Sequence, residues 1–151
     1  MIFTHRLRVR YGECDPQGIV FNANYLLYAD VAFTEFWREA LGRWQEMVER
    51  GVDVVVAETN LRFHSPARFD DEIDISVRID RLGETSITTE MDIVRDEELL
   101  VAVRVRHVCV ETSSGGVGES GLPANVRSTQ LPDWLRAGLQ PFAAAASDLP
   151  A

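Results

Sequence analysis

The sequence predicts an α+β domain in which one long amphipathic helix packs against one antiparallel sheet. Three observations indicate this class. Apolar residues recur at spacings of three and four over 25–41, which is typical of a helix. Five other segments alternate apolar and polar residues, or run apolar for several positions, as strands do. Three of the last four segments follow short connections, so we expect antiparallel neighbours with the helix on one sheet face.

The chain begins with a strand over 3–11, because apolar and polar residues alternate there. A tight turn follows, since Asp15 precedes a proline and Gly18 has no Cβ to restrict the backbone. Asn22 and Asn24 are candidate N-cap side chains for the long helix that comes next. A single acidic residue therefore lies a few positions before a helix N-terminus.

The remaining predicted elements are a short helix over 43–50, strands over 52–63, 73–80, 85–94 and 99–111, a loop over 112–121 and a C-terminal helix over 127–139. Polar residues inside the strand over 52–63 suggest a bulge there. The apolar alternation changes parity near His107, which predicts a bulge or burial on both strand faces. Pro132 suits the first turn of the last helix. We expect one domain over 1–140 and a disordered tail over 141–151.

Charge and composition narrow the possible partners. The formal net charge of −9 disfavours binding to nucleic acid or to an anionic membrane surface. All 15 basic residues are arginine, a bias that favours phosphate recognition or simply reflects genome composition. No apolar run is long enough to span a membrane, and two cysteines give no disulfide framework, so we expect a cytoplasmic protein.

Motifs for other kinds of site are missing from the sequence. There is no C-x-x-C or H-x-x-x-H spacing of the kind that holds a metal ion. There is no phosphate-binding P-loop and no dinucleotide fingerprint. The sequence therefore predicts neither a metal site nor a cofactor.

Two motifs carry a resemblance to a known family. Residues 15–25 read D-P-x-G-x-V-F followed by N-Y, and residues 66–71 read P-A-R-x-D-D. With Tyr11 and Phe63 at the expected places, the chain resembles the hotdog-fold acyl-CoA thioesterases from about residue 4 to 124. More specifically, it resembles the branch around 4-hydroxybenzoyl-CoA thioesterase and the Tol-Pal-associated thioesterases.

This resemblance implies an architecture and an assembly. The expected hotdog fold is a five-stranded antiparallel sheet of order 1-3-4-5-2 wrapped around one long helix. The expected assembly is a homodimer with sheets joined edge to edge, doubled to a homotetramer. Active sites in such dimers lie at the subunit interface.

The resemblance also implies hydrolysis of an acyl-CoA, with Asp15 as general base or nucleophile. Thioester hydrolysis needs a carboxylate that attacks the carbonyl carbon or takes a proton from water. It also needs N–H groups that stabilise the oxyanion, which we place at Gly18 and 21–24, with the N–H of Asn22 favoured. Asp15 as a plain turn residue and Asn22 as a plain helix cap are the alternatives. Relatives usually have Tyr or His at the Asn22 position, so a second catalytic side chain is in doubt.

Residues for substrate binding follow from the same comparison. Phe21, Asn24 and Tyr25 are candidates for the acyl pocket, with burial in the core as the alternative. Arg68 and Ser86 are candidates for coenzyme A, with plain surface positions as the alternative. Coenzyme A is part of the substrate, so no cofactor is expected. Two other functions stay open, namely an acyl-carrier-protein thioesterase and a hotdog module that binds acyl-CoA without hydrolysis.

Overall fold

The computed structural model describes residues 1–112 and 127–143. Within them, five antiparallel strands form one sheet of order β1-β3-β4-β5-β2. The strands are β1 (Phe3–Arg8), β2 (Val52–Phe63), β3 (Glu72–Leu82), β4 (Ser86–Arg95) and β5 (Glu98–Glu111). This topology confirms the predicted fold class. The expected loop after residue 112 and the tail from residue 144 lie outside the described residues.

One long helix covers the inner face of this sheet. Helix α1 (Asn24–Leu41) packs against β1 and β3, and two shorter helices, α2 (Trp44–Glu49) and α3 (Asp133–Leu139), flank it. Its buried side chains recur at spacings of three and four, as predicted. They are Tyr25, Tyr28, Ala29, Ala32, Phe33, Phe36 and Trp37. Opposite them lie the alternating residues of the central strands, including Ile75, Ile79, Ile87, Ile93 and Val101, all fully buried.

Two predicted boundaries of secondary structure were wrong. The first strand ends at Arg8 and not at residue 11, because the chain tightens into a 3-10 turn over Tyr11–Glu13. The last helix begins at Asp133, because Pro132 is extended and acts as the N-cap residue. The residues just before it run beside β5, where the N–H of Thr129 donates to the carbonyl of Cys109 over 2.9 Å.

The start of α1 and the end of the domain also differ from expectation. Ala23 occupies the N-cap position, and no side chain caps the helix. The chain continues past residue 140 in a 3-10 turn, Gln140–Phe142. Phe142 is buried, and its ring packs edge-on against Phe36 with centroids 5.0 Å apart. The described fold therefore includes residues 141–143, where Phe142 joins the core.

Sequence-predicted irregularities of the sheet are present. Ala57 is the extra residue of a bulge in β2, because Val56 pairs with His107 and Glu58 with Arg106. Burial on both faces of β5 occurs just after His107, where Cys109 and Val110 are both buried. The predicted turn between β4 and β5 has two positive-φ residues, Asp96 and Glu97, as a two-residue hairpin of type I′ requires.

His107 lies inside the core. Its side chain is 4% exposed, and its ring stacks on Phe33 with centroids 4.2 Å apart and planes 10° apart. Burial lowers the pKa of His107 to about 4, so the imidazole is neutral at physiological pH. Among the described residues, Nδ1 of this ring has no hydrogen-bond partner.

The outer face of the sheet carries most of the charged pairs. Arg78 contacts Glu90 at 2.7 Å and Asp92 at 3.0 Å, and Arg104 contacts Asp80 at 2.8 Å. Such partly exposed pairs contribute little stability one by one. Together they keep this face polar. Within residues 1–112 and 127–143, no helix has the length and apolar character that a membrane crossing requires.

In contrast to the charged outer face, the surface beside the edge strand β2 is apolar. Val55 and Val56 of β2 are 40% and 55% exposed, and Leu26 of α1 is also exposed. Leu26 and Val56 line one small cavity, so the exposed residues of the two elements lie next to each other. An apolar strip on an unpaired edge is typical of an interface.

Candidate active site

Asp15 lies in a tight turn between the 3-10 turn and α1. Its carboxylate Oδ1 accepts a hydrogen bond from the N–H of Gln17 over 2.8 Å, and its carbonyl accepts one from the N–H of Gly18 over 2.9 Å. Gly18 has a φ of 78°, which explains why glycine is used here. The N–H of Asp15 donates to the carbonyl of Ile19 over 2.9 Å and closes the turn. The Asp15 side chain is thereby held in one place on a short loop.

The turn forms one wall of a cleft of about 360 Å³. The lining residues come from the turn, the start of α1 and the end of β2. They are Asp15, Gln17, Ile19, Val20, Asn22, Tyr25, Phe63, His64, Ser65 and Pro66. Aromatic rings form one side, since the rings of Tyr25 and Phe63 meet edge-on with centroids 5.7 Å apart. The cleft is therefore largely apolar, with a single carboxylate at its rim.

Asp15 is half-buried, and its carboxylate has few polar partners within the protein. Among the described residues, no arginine or histidine forms an ion pair with it, and Oδ2 accepts no hydrogen bond. One oxygen is thus fixed by the turn, while the other is available to a bound molecule. This arrangement suits a carboxylate that takes a proton or attacks a carbon atom.

Some backbone N–H groups are unpaired at the start of α1, where Asn22 lines the cleft. The N–H of Phe21 is paired with the carbonyl of Glu13, and that of Asn24 with the carbonyl of Phe21. Within the part of the chain that the structure describes, the N–H groups of Asn22 and Ala23 have no acceptor. Unpaired amides at a helix N-terminus attract negative charge. Gly18 differs, because its N–H is already used inside the turn.

A buried acidic residue, Glu13, joins the turn to the helix. Its Oε1 accepts hydrogen bonds from the N–H of Arg10 over 2.7 Å and from the hydroxyl of Tyr28 over 2.9 Å. Its Oε2 pairs with the guanidinium of Arg10 over 2.6 Å, and its carbonyl accepts from the side chain of Asn24 over 2.8 Å. We name Arg10, Glu13, Asn24 and Tyr28 the Glu13 network.

Burial alone would raise the pKa of Glu13, but the bonds from Arg10 and Tyr28 outweigh it, and the pKa lies below its usual value. Burial and the Glu13 carboxylate both raise the pKa of Tyr28, so that its hydroxyl stays a donor. Sequence reasoning missed Glu13 and Tyr28. They lie 15 positions apart, and no local spacing links them.

The structure brings some of the predicted site residues together and leaves others apart. Asp15, Asn22 and Tyr25 line the cleft, and the Tyr25 hydroxyl accepts a hydrogen bond from the N–H of Ala67 over 3.0 Å. Asn24 is part of the Glu13 network, so its side chain has a structural role. Phe21 is 49% exposed and lies outside the lining of the cleft.

The two residues predicted for coenzyme A have different positions. Arg68 is exposed and lies two positions after the cleft residue Pro66. Its backbone forms an isolated β-bridge with Ile19 of the cleft wall. In the described chain its guanidinium has no carboxylate partner. Ser86 begins β4, whereas the cleft is beside the other end of that strand, where Arg95 donates to the carbonyl of Pro66 over 3.2 Å. One protomer thus keeps Ser86 apart from Asp15.

Residues for metal binding are not grouped in the described chain. No cluster of three or more His, Cys, Asp or Glu side chains occurs within residues 1–112 and 127–143. The two cysteines, Cys14 and Cys109, are free, and Cys109 is buried.

Comparison with known proteins decides the family. A family model described as the thioesterase-like superfamily matches residues 9–139. The chain belongs to this superfamily. The acyl-CoA thioester hydrolase YbgC of Escherichia coli is 32% identical over 111 residues, which are 73% of this chain and 83% of that protein. The 4-hydroxybenzoyl-CoA thioesterase of a Pseudomonas species is 35% identical over 79 residues, or 50% and 56% of the two chains.

Solved structures of thioesterases have the same hotdog fold. A variant of 4-hydroxybenzoyl CoA thioesterase in complex with 4-hydroxybenzoyl CoA superposes with a TM-score of 0.80 at 23% identity, and covers 91% of this chain and 98% of that one. Superfamily membership, the matching relatives and the shared fold place this protein among the thioester hydrolases.

We predict that Glu13→Gln lowers the free energy of unfolding by about 3 kcal/mol, because charge-assisted hydrogen bonds of a buried carboxylate are lost. Tyr28→Phe, which removes one bond of the same network, should cost about half as much. Urea unfolding at pH 7 measures both values.

The pH dependence gives a second readout of this prediction. The pKa of Glu13 is depressed on folding, so its contribution is present above the usual value of 4.5 and is lost as the pH falls through the lower, folded-state value. The difference in the free energy of unfolding between the parent and Glu13→Gln should therefore become smaller at acidic pH. A gap that stays constant would mean that the carboxylate charge has no role.

Proposed function

We propose that this protein is an acyl-CoA thioesterase, which converts an acyl-CoA and water into a free acid and coenzyme A. The observation that carries the proposal is one cleft bordered both by the Asp15 carboxylate and by the start of α1 with its unpaired N–H groups. Relatives named acyl-CoA thioester hydrolase and 4-hydroxybenzoyl-CoA thioesterase support coenzyme A as the carrier. No cofactor is needed for this reaction.

The proposed chemistry has two parts. The thioester carbonyl oxygen accepts hydrogen bonds from the N–H groups of Asn22 and Ala23, which stabilise the negative charge that develops on it. Asp15 either takes a proton from a water molecule as that water attacks the carbonyl carbon, or attacks the carbon itself to give an anhydride that water then hydrolyses. In both routes the carbon–sulfur bond breaks when the tetrahedral intermediate collapses.

The leaving group explains why few residues suffice. A thiol has a pKa of about 8.5, so coenzyme A departs as a thiolate without a strong general acid. The thiolate takes up the proton afterwards. Asn22 in place of a histidine or tyrosine therefore leaves the essential parts in position, because its contribution is a backbone donor.

Arg68 is the proposed contact for coenzyme A phosphate. It is exposed beside the cleft and carries no ion pair in the described chain, whereas Arg78 and Arg104 of the outer sheet face are paired with carboxylates. An unpaired guanidinium loses no existing bond when it meets a phosphate. An acyl-carrier-protein substrate is less compatible with the net charge of −9, because such a carrier is itself acidic.

We further propose a homodimer joined along the edge of β2. The exposed side chains of Val55, Val56 and Leu26 would be covered there, and a second sheet would pair with the free edge. The cleft lies at the end of the same strand, so residues of a partner would complete it. Ser86 would meet a cleft only in such an assembly. Doubling to a tetramer is compatible with this arrangement.

We predict that Asp15→Asn lowers kcat about a thousandfold, because the amide can still accept the N–H of Gln17 but cannot take a proton or attack. Thiol release from a panel of aryl, short-chain and long-chain acyl-CoAs measures the rate. Glu35→Gln is the matched control, since Glu35 is an exposed α1 carboxylate paired with Arg38 at 3.5 Å. Turnover within tenfold of the parent in Asp15→Asn would disprove the assignment. Saturable binding without hydrolysis by the parent would indicate a binding module.

A second prediction separates the backbone of Asn22 from its side chain. Asn22→Ala should keep kcat within a few-fold of the parent, because the N–H remains. Asn22→Pro removes the N–H and should lower kcat by about a hundredfold to a thousandfold. Circular dichroism checks that the proline variant is folded. Equal activity of these two variants would place the oxyanion elsewhere.

A third prediction concerns the assembly. The parent should sediment as a dimer or a dimer of dimers, and Val56→Glu should dissociate the β2 interface, because a buried unpaired charge is costly. Ile2→Glu, which adds a charge at an exposed apolar position beside the other sheet edge, is the control. Dissociation by Ile2→Glu with no effect of Val56→Glu would assign the interface to β1.

A further inference from the structure

The loop that follows β2 has two halves, which are held in different ways. The first half, residues 64–67, includes three residues of the cleft lining and is anchored through its backbone. Two of its N–H groups donate to the carbonyl of Leu100 in β5 over 2.8 and 3.1 Å. The N–H of Ala67 donates to the Tyr25 hydroxyl over 3.0 Å, and the Ala67 carbonyl accepts from the N–H of Val20 over 2.9 Å.

The second half is a turn over Arg68–Asp71, which we name the Arg68 turn. The carboxylate Oδ2 of Asp71 accepts a hydrogen bond from the N–H of Arg68 over 2.8 Å, and the N–H of Asp71 donates to the carbonyl of Arg68 over 3.2 Å. Asp70 has a φ of 69°, in the left-handed region that residues other than glycine seldom adopt. Such a conformation persists where surrounding contacts impose it. The contacts of the Asp71 side chain therefore help to decide the path of the backbone at Arg68.

Arg95, at the end of β4, connects the two halves of the loop. Its Nη1 contacts Oδ2 of Asp71 at 2.6 Å and donates to the carbonyl of Pro66 over 3.2 Å, while Nη2 contacts Glu98 at 2.8 Å. The side chains of Arg95 and Asp71 are 22% and 21% exposed, so their ion pair is partly shielded from water and salt. One guanidinium thus holds the cleft half through Pro66 and the Arg68 turn through Asp71.

Arg68 is the residue whose position depends on this arrangement. It is exposed, and in the described chain its guanidinium pairs with no carboxylate. An arginine whose backbone is already fixed loses less conformational entropy when its side chain binds an anion. The turn therefore prepares this guanidinium for a ligand.

We propose that Arg95, acting through Asp71, is a positioning residue for coenzyme A, because it holds the Arg68 turn where the Arg68 guanidinium meets a coenzyme A phosphate. This rests on the proposed function, in which Arg68 is the phosphate contact. The Asp15 turn and the cleft half of the loop have anchors of their own. Loss of Arg95 should therefore weaken binding of the phosphorylated part of the substrate and leave the chemical step nearly unchanged.

The test compares an acyl-CoA with the N-acetylcysteamine thioester of the same acid, which has the thioester but no phosphate. Arg95→Met should raise KM for the acyl-CoA about tenfold, keep kcat within about threefold of the parent, and leave both constants for the N-acetylcysteamine thioester unchanged. Equal losses for the two substrates would make Arg95 a support of the whole cleft, and no loss for either would remove its role. Both results overturn the proposal.

Arg78 on the outer sheet face provides the matched control. It also pairs with two carboxylates, Glu90 and Asp92, at 2.7 and 3.0 Å, but in the described chain it forms no ion pair with the loop. Arg78→Met changes the net charge by the same amount and should leave KM for the acyl-CoA at the value of the parent. An equal rise in KM in Arg78→Met and Arg95→Met would attribute the effect to net charge and refute the proposal.

Combined substitutions test the route through Arg68. Arg68→Ala should raise KM for the acyl-CoA about tenfold, because a charge-assisted hydrogen bond to phosphate is lost. Adding Arg95→Met to Arg68→Ala should have little further effect, because both substitutions remove the same interaction. Full additivity, with a KM about a hundredfold above that of the parent, would show that Arg95 does not act through Arg68.

Conservative variants answer the same question if Arg95→Met does not fold. Arg95→Lys keeps a charge beside Asp71 but cannot make all three contacts of the guanidinium, so its KM for the acyl-CoA should be intermediate. Asp71→Asn keeps an acceptor for the N–H of Arg68 but loses the ion pair, and it should also raise KM for the acyl-CoA alone. A KM equal to that of the parent in both variants would contradict the proposal.

A titration of coenzyme A itself separates this proposal from the proposed function. Calorimetry measures its Kd with the parent, with Arg95→Met and with the control Arg78→Met. Only Arg95→Met should bind coenzyme A more weakly, by about tenfold, whether or not the protein hydrolyses thioesters. Hydrolysis with an unchanged Kd in Arg95→Met would leave the thioesterase intact and refute the role of Arg95. The expected change in Kd without any hydrolysis would refute the proposed function and retain the positioning role.

Discussion

The candidate site depends on the buried carboxylate of Glu13. This one side chain accepts bonds from the backbone and guanidinium of Arg10 and from the hydroxyl of Tyr28 in the second turn of α1. Its carbonyl meanwhile accepts from Phe21 and Asn24 at the start of that helix. The Asp15 turn is therefore tied to the helix on both sides. These bonds hold the Asp15 carboxylate in a fixed position relative to the unpaired amides of α1.

Rigid placement matters because the proposed reaction uses very few groups. A hydrogen-bond donor that already points to the developing oxyanion needs no reorganisation during the reaction, which is the main advantage of backbone amides. The turn fixes one oxygen of Asp15 through Gln17 and leaves the other unpaired. The local turn and the Glu13 network thus have different tasks: the first orients the carboxylate, and the second sets its distance from the helix.

Sequence reasoning predicted what depends on local periodicity and missed what depends on distant contacts. Alternation identified four of the five strands and an apolar run identified β2, whose bulge followed from the polar residues within that run. The Glu13–Tyr28 bond and the burial of Phe142 against Phe36 join residues far apart in the chain, and no spacing rule contains them. The same holds for His107. The sequence predicted burial near it, but the missing partner of its Nδ1 among the described residues depends on three-dimensional packing.

The distribution of charge is consistent with a substrate whose reacting part is neutral. On the outer sheet face, Arg78 and Arg104 are paired with carboxylates, whereas the Asp15 cleft is lined mainly by aromatic and aliphatic side chains and by uncharged polar groups such as Asn22. An uncharged thioester enters such a region at low desolvation cost. In the proposed reaction, negative charge develops on the thioester oxygen next to the unpaired amides of α1, an arrangement that favours the transition state over the ground state.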